Sequence, residues 1–144
     1  MRRPTRSVFL AVAGWLLVLG GLLLPWTHTT PSGSHWLVEE LDRQSGLVGL
    51  FGGGLAALAL AVVLLALRSP PGTALASALA GSLTVVAVVL ATPRPHTISE
   101  GVDSTGRPFR FDSETVMSAG AVSAVLGAAL IMIITVHGAR APRR

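Results

Sequence analysis

Along this chain long apolar runs alternate with short polar ones. Four stretches, Ser7 to Trp26, Gly46 to Leu67, Thr73 to Ala91 and Val116 to Val136, carry no charged residue. At ~1.5 Å rise per residue, about twenty helical residues cross the ~30 Å hydrocarbon core of a bilayer. Each run is apolar around its whole circumference rather than along one stripe, the pattern of a helix with no water-facing side. The pattern predicts an all-α integral membrane protein, a four-transmembrane-helix bundle forming one domain over residues 1–144.

The polar segments between the runs differ in length. Residues 68–72, Arg68-Ser-Pro-Pro-Gly, make a tight turn that holds the second and third helices as antiparallel neighbours, with the prolines stopping one helix and Gly72 opening the next. Residues 27–45 and 92–115 are longer and lie together on the other side, where they predict a small extracytoplasmic cap. In the first, Ser34 is placed to N-cap a short amphipathic helix in which Trp36, Leu37 and Leu41 oppose Glu39, Glu40, Asp42 and Arg43. In the second, Pro93-Arg94-Pro95 leads into a hairpin. Its strands are Thr97 to Glu100 and Arg107 to Asp112, turned through Asp103 to Gly106.

Charge then orients the helices. With the N-terminus inside, the inner side holds Arg2, Arg3, Arg6, Arg68, Arg140, Arg143 and Arg144. The outer side holds Arg43, Arg94, Arg107 and Arg110 with every acid of the chain: Glu39, Glu40, Asp42, Glu100, Asp103, Asp112 and Glu114. The positive-inside rule therefore puts both termini in the cytoplasm, and basic residues that are all arginine beside abundant Ala, Gly and Pro point to a GC-rich bacterial genome. The inner arginines attract the anionic headgroups of the inner leaflet. The first apolar run is longer than a signal-peptide core, and no A-x-A-like site follows it, so it reads as an uncleaved helix.

Hydrophobic residues are 51% of the chain and charged residues 12%, roughly half the charged share of a soluble protein. There is no cysteine, which excludes thiol catalysis, disulfides and thiolate metal sites. The eleven basic residues are all arginine, dispersed through tails and loops. They form no basic helix face, and no nucleic-acid partner is expected. No ionisable residue lies within the four runs, which argues against proton coupling, voltage sensing or an intramembrane carboxylate or metal enzyme.

Helix association in lipid depends on close packing and interhelical hydrogen bonds. The expected packing residues are Gly49 and Gly53 on the second helix, Ala74, Ala78 and Ser82 on the third, and Ala119, Ser123 and Gly127 on the fourth. Such stripes line either the inside of one bundle, the preferred reading, or a dimer interface. Outside the helices His28, His35 and His96 could meet Glu39, Glu40 or Asp42, but no zinc motif is present and solvated residues are the expectation. Trp26 is expected at the outer membrane interface with Trp36 in the same belt. Together with Phe109 and Phe111 they form the candidate interaction surface.

The stretch Gly20-Gly-Leu-Leu-Leu-Pro-Trp26, its Thr/Ser/Gly loop and the helix Gly46 to Leu67 resemble small actinobacterial four-helix membrane proteins. Some of these are similar to the tryptophan-operon-associated transmembrane proteins. The resemblance covers the first half of the chain and implies no particular activity. The sequence points to a non-enzymatic accessory or interaction subunit of the plasma membrane without catalytic residues, cofactor or metal. Its partners would be the bilayer and either another membrane protein or further copies of itself. The alternative is a small oligomeric transporter or channel subunit.

Overall fold

The computed structural model of the protein describes residues 3–30, 33–43, 45–92 and 96–140. Four of its helices are long and apolar enough to cross a membrane: α1 (Arg3–Leu23), α3 (Ser45–Ala66), α4 (Pro71–Ala91) and α5 (Ala119–Arg140). At one end stand a short helix α2 (Leu37–Arg43) and four strands, β1 (Thr27–Thr30), β2 (Gly33–His35), β3 (His96–Val102) and β4 (Pro108–Met117). Helix α1 packs along α5, α5 along α4, and α4 along α3.

Small residues set how closely the helices approach. On α1 and α5, Gly14 and Gly21 face Gly127 and Gly120. A Cβ at Gly21 would fall 2.6 Å from the Gly120 carbonyl oxygen, one at Gly120 2.7 Å from that of Gly21, and one at Gly127 would strike the Gly14 carbonyl. Gly54 and Gly81 do the same for α3 and α4: a Cβ at Gly81 would sit 2.8 Å from the Gly54 oxygen. Two hydroxyls cross between helices, Ser82 Oγ donating to Ala128 O at 3.1 Å and Ser123 Oγ to Leu17 O at 2.7 Å. Close backbones and such bonds are what lipid leaves available to hold helices together.

Several sequence expectations are corrected. Gly49 and Gly53 do not pack within the bundle, since a Cβ at either meets nothing within 4 Å; Gly54, one residue on, occupies the interface. Ala119 is exposed and drops out of its stripe, whereas Ser123 and Gly127 do meet α1, through the bond to Leu17 O and the contact with Gly14. Ala74, Ala78 and Ser82 are buried as expected. The fourth helix begins at Ala119 rather than Val116 because Val116 and Met117 pair with His28 and Thr27 in the sheet. It runs on to Arg140.

The turn between α3 and α4 closes differently from the expectation too. Arg68, with φ of 55°, takes the left-handed position after α3. Ser69 N–H bonds Leu64 O and Arg68 N–H bonds Leu65 O, the pairing of a Schellman cap usually built on glycine. Pro71 starts α4, and Gly72 lies inside its first turn.

The two long polar segments build one antiparallel sheet of order β2-β1-β4-β3, not a lone hairpin. Helix α2 begins after Trp36, whose N–H bonds Glu39 Oε2 at 3.2 Å. Ser34 is therefore not its cap but part of β2, where its Oγ lies 3.1 Å from His28 Nδ1. Leu37 and Leu41 face inward and join the bundle core. Pro93-Arg94-Pro95 and the terminal arginines Arg2, Arg143 and Arg144 lie outside the described residues.

Candidate functional site

The sheet grows directly from two helices. Strand β1 begins four residues after α1 ends, and β4 reaches to within two residues of α5. Trp26 is the joint. Its N–H donates to His35 O at 2.8 Å, and its carbonyl accepts from Ser118 N at 2.9 Å. Its indole Nε1 donates to Thr92 Oγ1 at 3.2 Å, and its ring meets Phe51 edge-on at 5.7 Å. Gly120 N–H, in the first turn of α5, bonds Pro25 O at 2.9 Å, which supplies a partner to an amide that helix geometry leaves open. Trp26 is thus 0% exposed. It is a core residue and drops out of the candidate surface.

The other three aromatics stay exposed but do not converge. Trp36 follows β2 beside the Thr27↔His35 pair, at the helix end of the sheet. Phe111 lies six residues up β4 from Met117, the partner of Thr27, or about 20 Å at the rise of a strand. Phe109 and Phe111 share a face, as alternation along β4 requires. The Phe109 ring lies over Gly101, where a Cβ would be 2.9 Å from it.

Phe109 and Phe111 belong to an arm. Among the described residues β1 pairs with β4 from Glu114 to Met117, and from Ile98↔Asp112 outward β3 and β4 continue as a two-stranded hairpin. Ile98, Val102, Phe109 and Phe111 are all exposed, Phe109 by 48% and Val102 by 66%. A shallow hollow of about 540 Å³ lies around Glu100, Gly101, Phe109 and Arg110. A second, of about 430 Å³, is an apolar groove between α3 and α4 near Leu47, Leu50 and Leu83.

The tip of the arm is firmly turned. Asp103 N–H donates to Arg107 O at 2.9 Å, and Gly106 N–H to Asp103 O at 3.0 Å, with Gly106 at φ of 82°. That is a type I turn closed by a left-handed glycine, which preserves strand twist. The Asp103 carboxylate accepts from Thr105 Oγ1 (2.6 Å), Thr105 N (2.8 Å) and Arg107 N (2.9 Å). The Thr105 hydroxyl, then the backbone amides, hold its carboxyl below the usual aspartate value.

His28 and His35 do not come together. They are on opposite faces of the sheet by register, and His35 Nδ1 lies 3.2 Å from Glu39 Oε2. Among the described residues, no cluster of His, Asp and Glu is placed to hold a metal. Helix hydroxyls are engaged elsewhere, Thr84 with Ala80 O, Thr135 with Ile131 O and Thr92 with Val88 O. Comparison with protein-family models, curated proteins and solved structures finds no match to this chain.

Proposed function

We propose that the protein is a non-enzymatic accessory subunit of the bacterial plasma membrane that holds a docking arm on the outer surface. On this reading α1, α3, α4 and α5 cross the bilayer with both termini in the cytoplasm. Each carries bulky apolar side chains outward, such as Leu16, Leu60, Leu83 and Leu126, all more than half exposed. Water would not tolerate four such faces on one small molecule, whereas lipid suits them. The arginine-only composition of the inner side and the confinement of acids to the sheet side support the orientation.

The observation that carries the reading is the arm itself. An isolated two-stranded hairpin is marginally stable in water, yet this one displays Ile98, Val102, Phe109 and Phe111 beyond the sheet that roots it. Apolar groups held out in this way are the mark of an interaction site. The transport alternative relies on helix hydroxyls and glycine backbone lining a path, and of the hydroxyls Ser82, Thr84, Ser123 and Thr135 each donate to a carbonyl of the protein.

The test is in-cell crosslinking followed by purification in mild detergent and mass spectrometry. A stoichiometric partner that is retained by the wild type and lost from Phe109→Ser/Phe111→Ser is expected. A homo-oligomer with no other component would overturn the reading and favour transport.

A further inference from the structure

The two edges of the sheet are unequal. Strand β2 offers three residues before the chain turns into α2, a short edge of the kind that resists pairing. Strand β3 offers seven, His96 to Val102, with no proline, lysine or arginine among them. Among the described residues, no strand pairs with its outer side.

Register identifies which groups face outward. Asp103 N–H bonds Arg107 O, so this is a hydrogen-bonded pair, and in an antiparallel ladder such pairs alternate with non-bonded ones. Val102↔Pro108, Glu100↔Arg110 and Ile98↔Asp112 are therefore the non-bonded pairs, consistent with proline having no N–H to give. The N–H and C=O groups of Ile98, Glu100 and Val102 then point away from β4 along the open edge.

The two faces of the arm differ in chemistry. One carries Ser99 and Gly101 with Phe109 and Phe111 behind them, neutral and aromatic. The other carries Ile98, Glu100 and Val102 of β3 beside Arg110, Asp112 and Glu114 of β4, so two exposed aliphatic groups flank the carboxylate of Glu100, with Arg110 3.8 Å from Glu100 and 3.6 Å from Asp112. The strand already paired with β3 matches this division: Phe109-Arg110-Phe111 puts rings on the first face and a guanidinium on the second.

We propose that the outer edge of β3 receives an extended segment of a partner protein by strand addition. The segment has aromatic or aliphatic residues on the Phe109 face and, on the other, a basic residue opposite Glu100 whose stem lies between Ile98 and Val102. Backbone bonds to Ile98, Glu100 and Val102 supply the attachment, and side-chain alternation supplies the selectivity. The proposal rests on the docking reading above and names the chemistry of the partner.

The experiment uses the full chain in lipid nanodiscs and a fluorescein-labelled hexapeptide alternating phenylalanine and arginine, with a phenylalanine–glutamate peptide as counterpart. Anisotropy should show saturable binding of the arginine peptide, at least about tenfold tighter than the glutamate peptide. Hydrogen exchange should slow at the Ile98, Glu100 and Val102 amides. Ile98→Pro, which removes one outward N–H, should abolish binding while Ser99 and Gly101 amides stay protected by β4; Ile98→Thr should bind. Glu100→Gln should weaken binding about two- to fivefold, the range of an exposed ion pair. Equal binding of the two peptides, equal binding by Ile98→Pro, or protection absent from the edge would each overturn the proposal. If that happens while a Phe109-dependent partner is still captured by crosslinking, strand addition falls and the docking reading stands. If no partner is captured, the docking reading itself fails.

Discussion

The indole N–H of Trp26 reaches the hydroxyl of Thr92 at 3.2 Å, joining the segment that leaves α1 to the residue that ends α4. Thr92 Oγ1 lies 2.6 Å from Val88 O, to which it donates, so a chain of two bonds runs from the sheet into the α4 backbone. Trp26→Ala should destabilise the fold by about 3–5 kcal/mol, the usual cost of emptying a buried aromatic site. Trp26→Phe should keep the contact with Phe51 and lose about 1 kcal/mol with the hydrogen bond. Steric-trap unfolding in bicelles measures both, and a Trp26→Phe variant as stable as the wild type would show that the Thr92 bond carries nothing separate.

Glycines of similar spacing should behave in opposite ways. Gly120→Ala and Gly127→Ala each drive a methyl into a facing backbone and should cost about 1–3 kcal/mol. Gly49→Ala and Gly53→Ala meet open space and should be neutral or stabilising by up to about 1 kcal/mol through helix propensity. A large loss at Gly49 or Gly53 would show that this side of α3 packs against another copy.

Arg68 occupies a left-handed cap position that glycine takes without penalty. Arg68→Gly should therefore raise stability by about 1 kcal/mol, while Arg68→Ala should not. Equal behaviour of the two variants would contradict the cap geometry.

The hairpin tip should respond to acid. The carboxyl of Asp103 titrates below its ordinary value because the Thr105 hydroxyl and then the Arg107 amide favour its charged form. A depressed carboxylate adds stability above its unfolded value, near 3.8, and loses it as pH falls through the lower folded value. Protection of the Gly106 and Arg107 amides, taken relative to their intrinsic exchange rates, should therefore fall only below pH of about 4. In Asp103→Asn the acid-dependent step should vanish. A step that persists there would assign it to another group.

Orientation can be read without background labelling, because the chain has no cysteine. Ser104→Cys at the arm tip should react with an impermeant maleimide on intact cells. Ser69→Cys, between α3 and α4, should react only after lysis. The reverse pattern would invert the assigned topology.

Helix number and approximate span were legible in the sequence because apolar length is a local property that one segment displays alone. The place of the α3–α4 turn and the Asp103–Gly106 hairpin were legible for the same reason, since proline, glycine and aspartate act on their own neighbours, but the left-handed cap on Arg68 was not. The arm aromatics Phe109 and Phe111 could be named from alternation along one strand. The partnership of the two loops could not, because β1↔β4 pairing joins residues almost ninety positions apart and leaves no local signature.

Trp26 shows the boundary most sharply. At the end of an apolar run a tryptophan looks like a lipid anchor, and only the arrival of Thr92, Phe51, His35 and Ser118 from four other parts of the chain makes it core. The glycines divide in the same way: Gly49, Gly53 and Gly54 lie within two turns of one helix, but which face meets α4 is set by the neighbour. The sequence by itself determined four apolar helices, the short turn and the charge sorting, all consequences of local hydropathy and backbone stereochemistry. Tertiary structure decided which glycines touch, where the fourth helix starts and that the two long polar segments share a sheet, because packing and strand pairing are relations between distant residues.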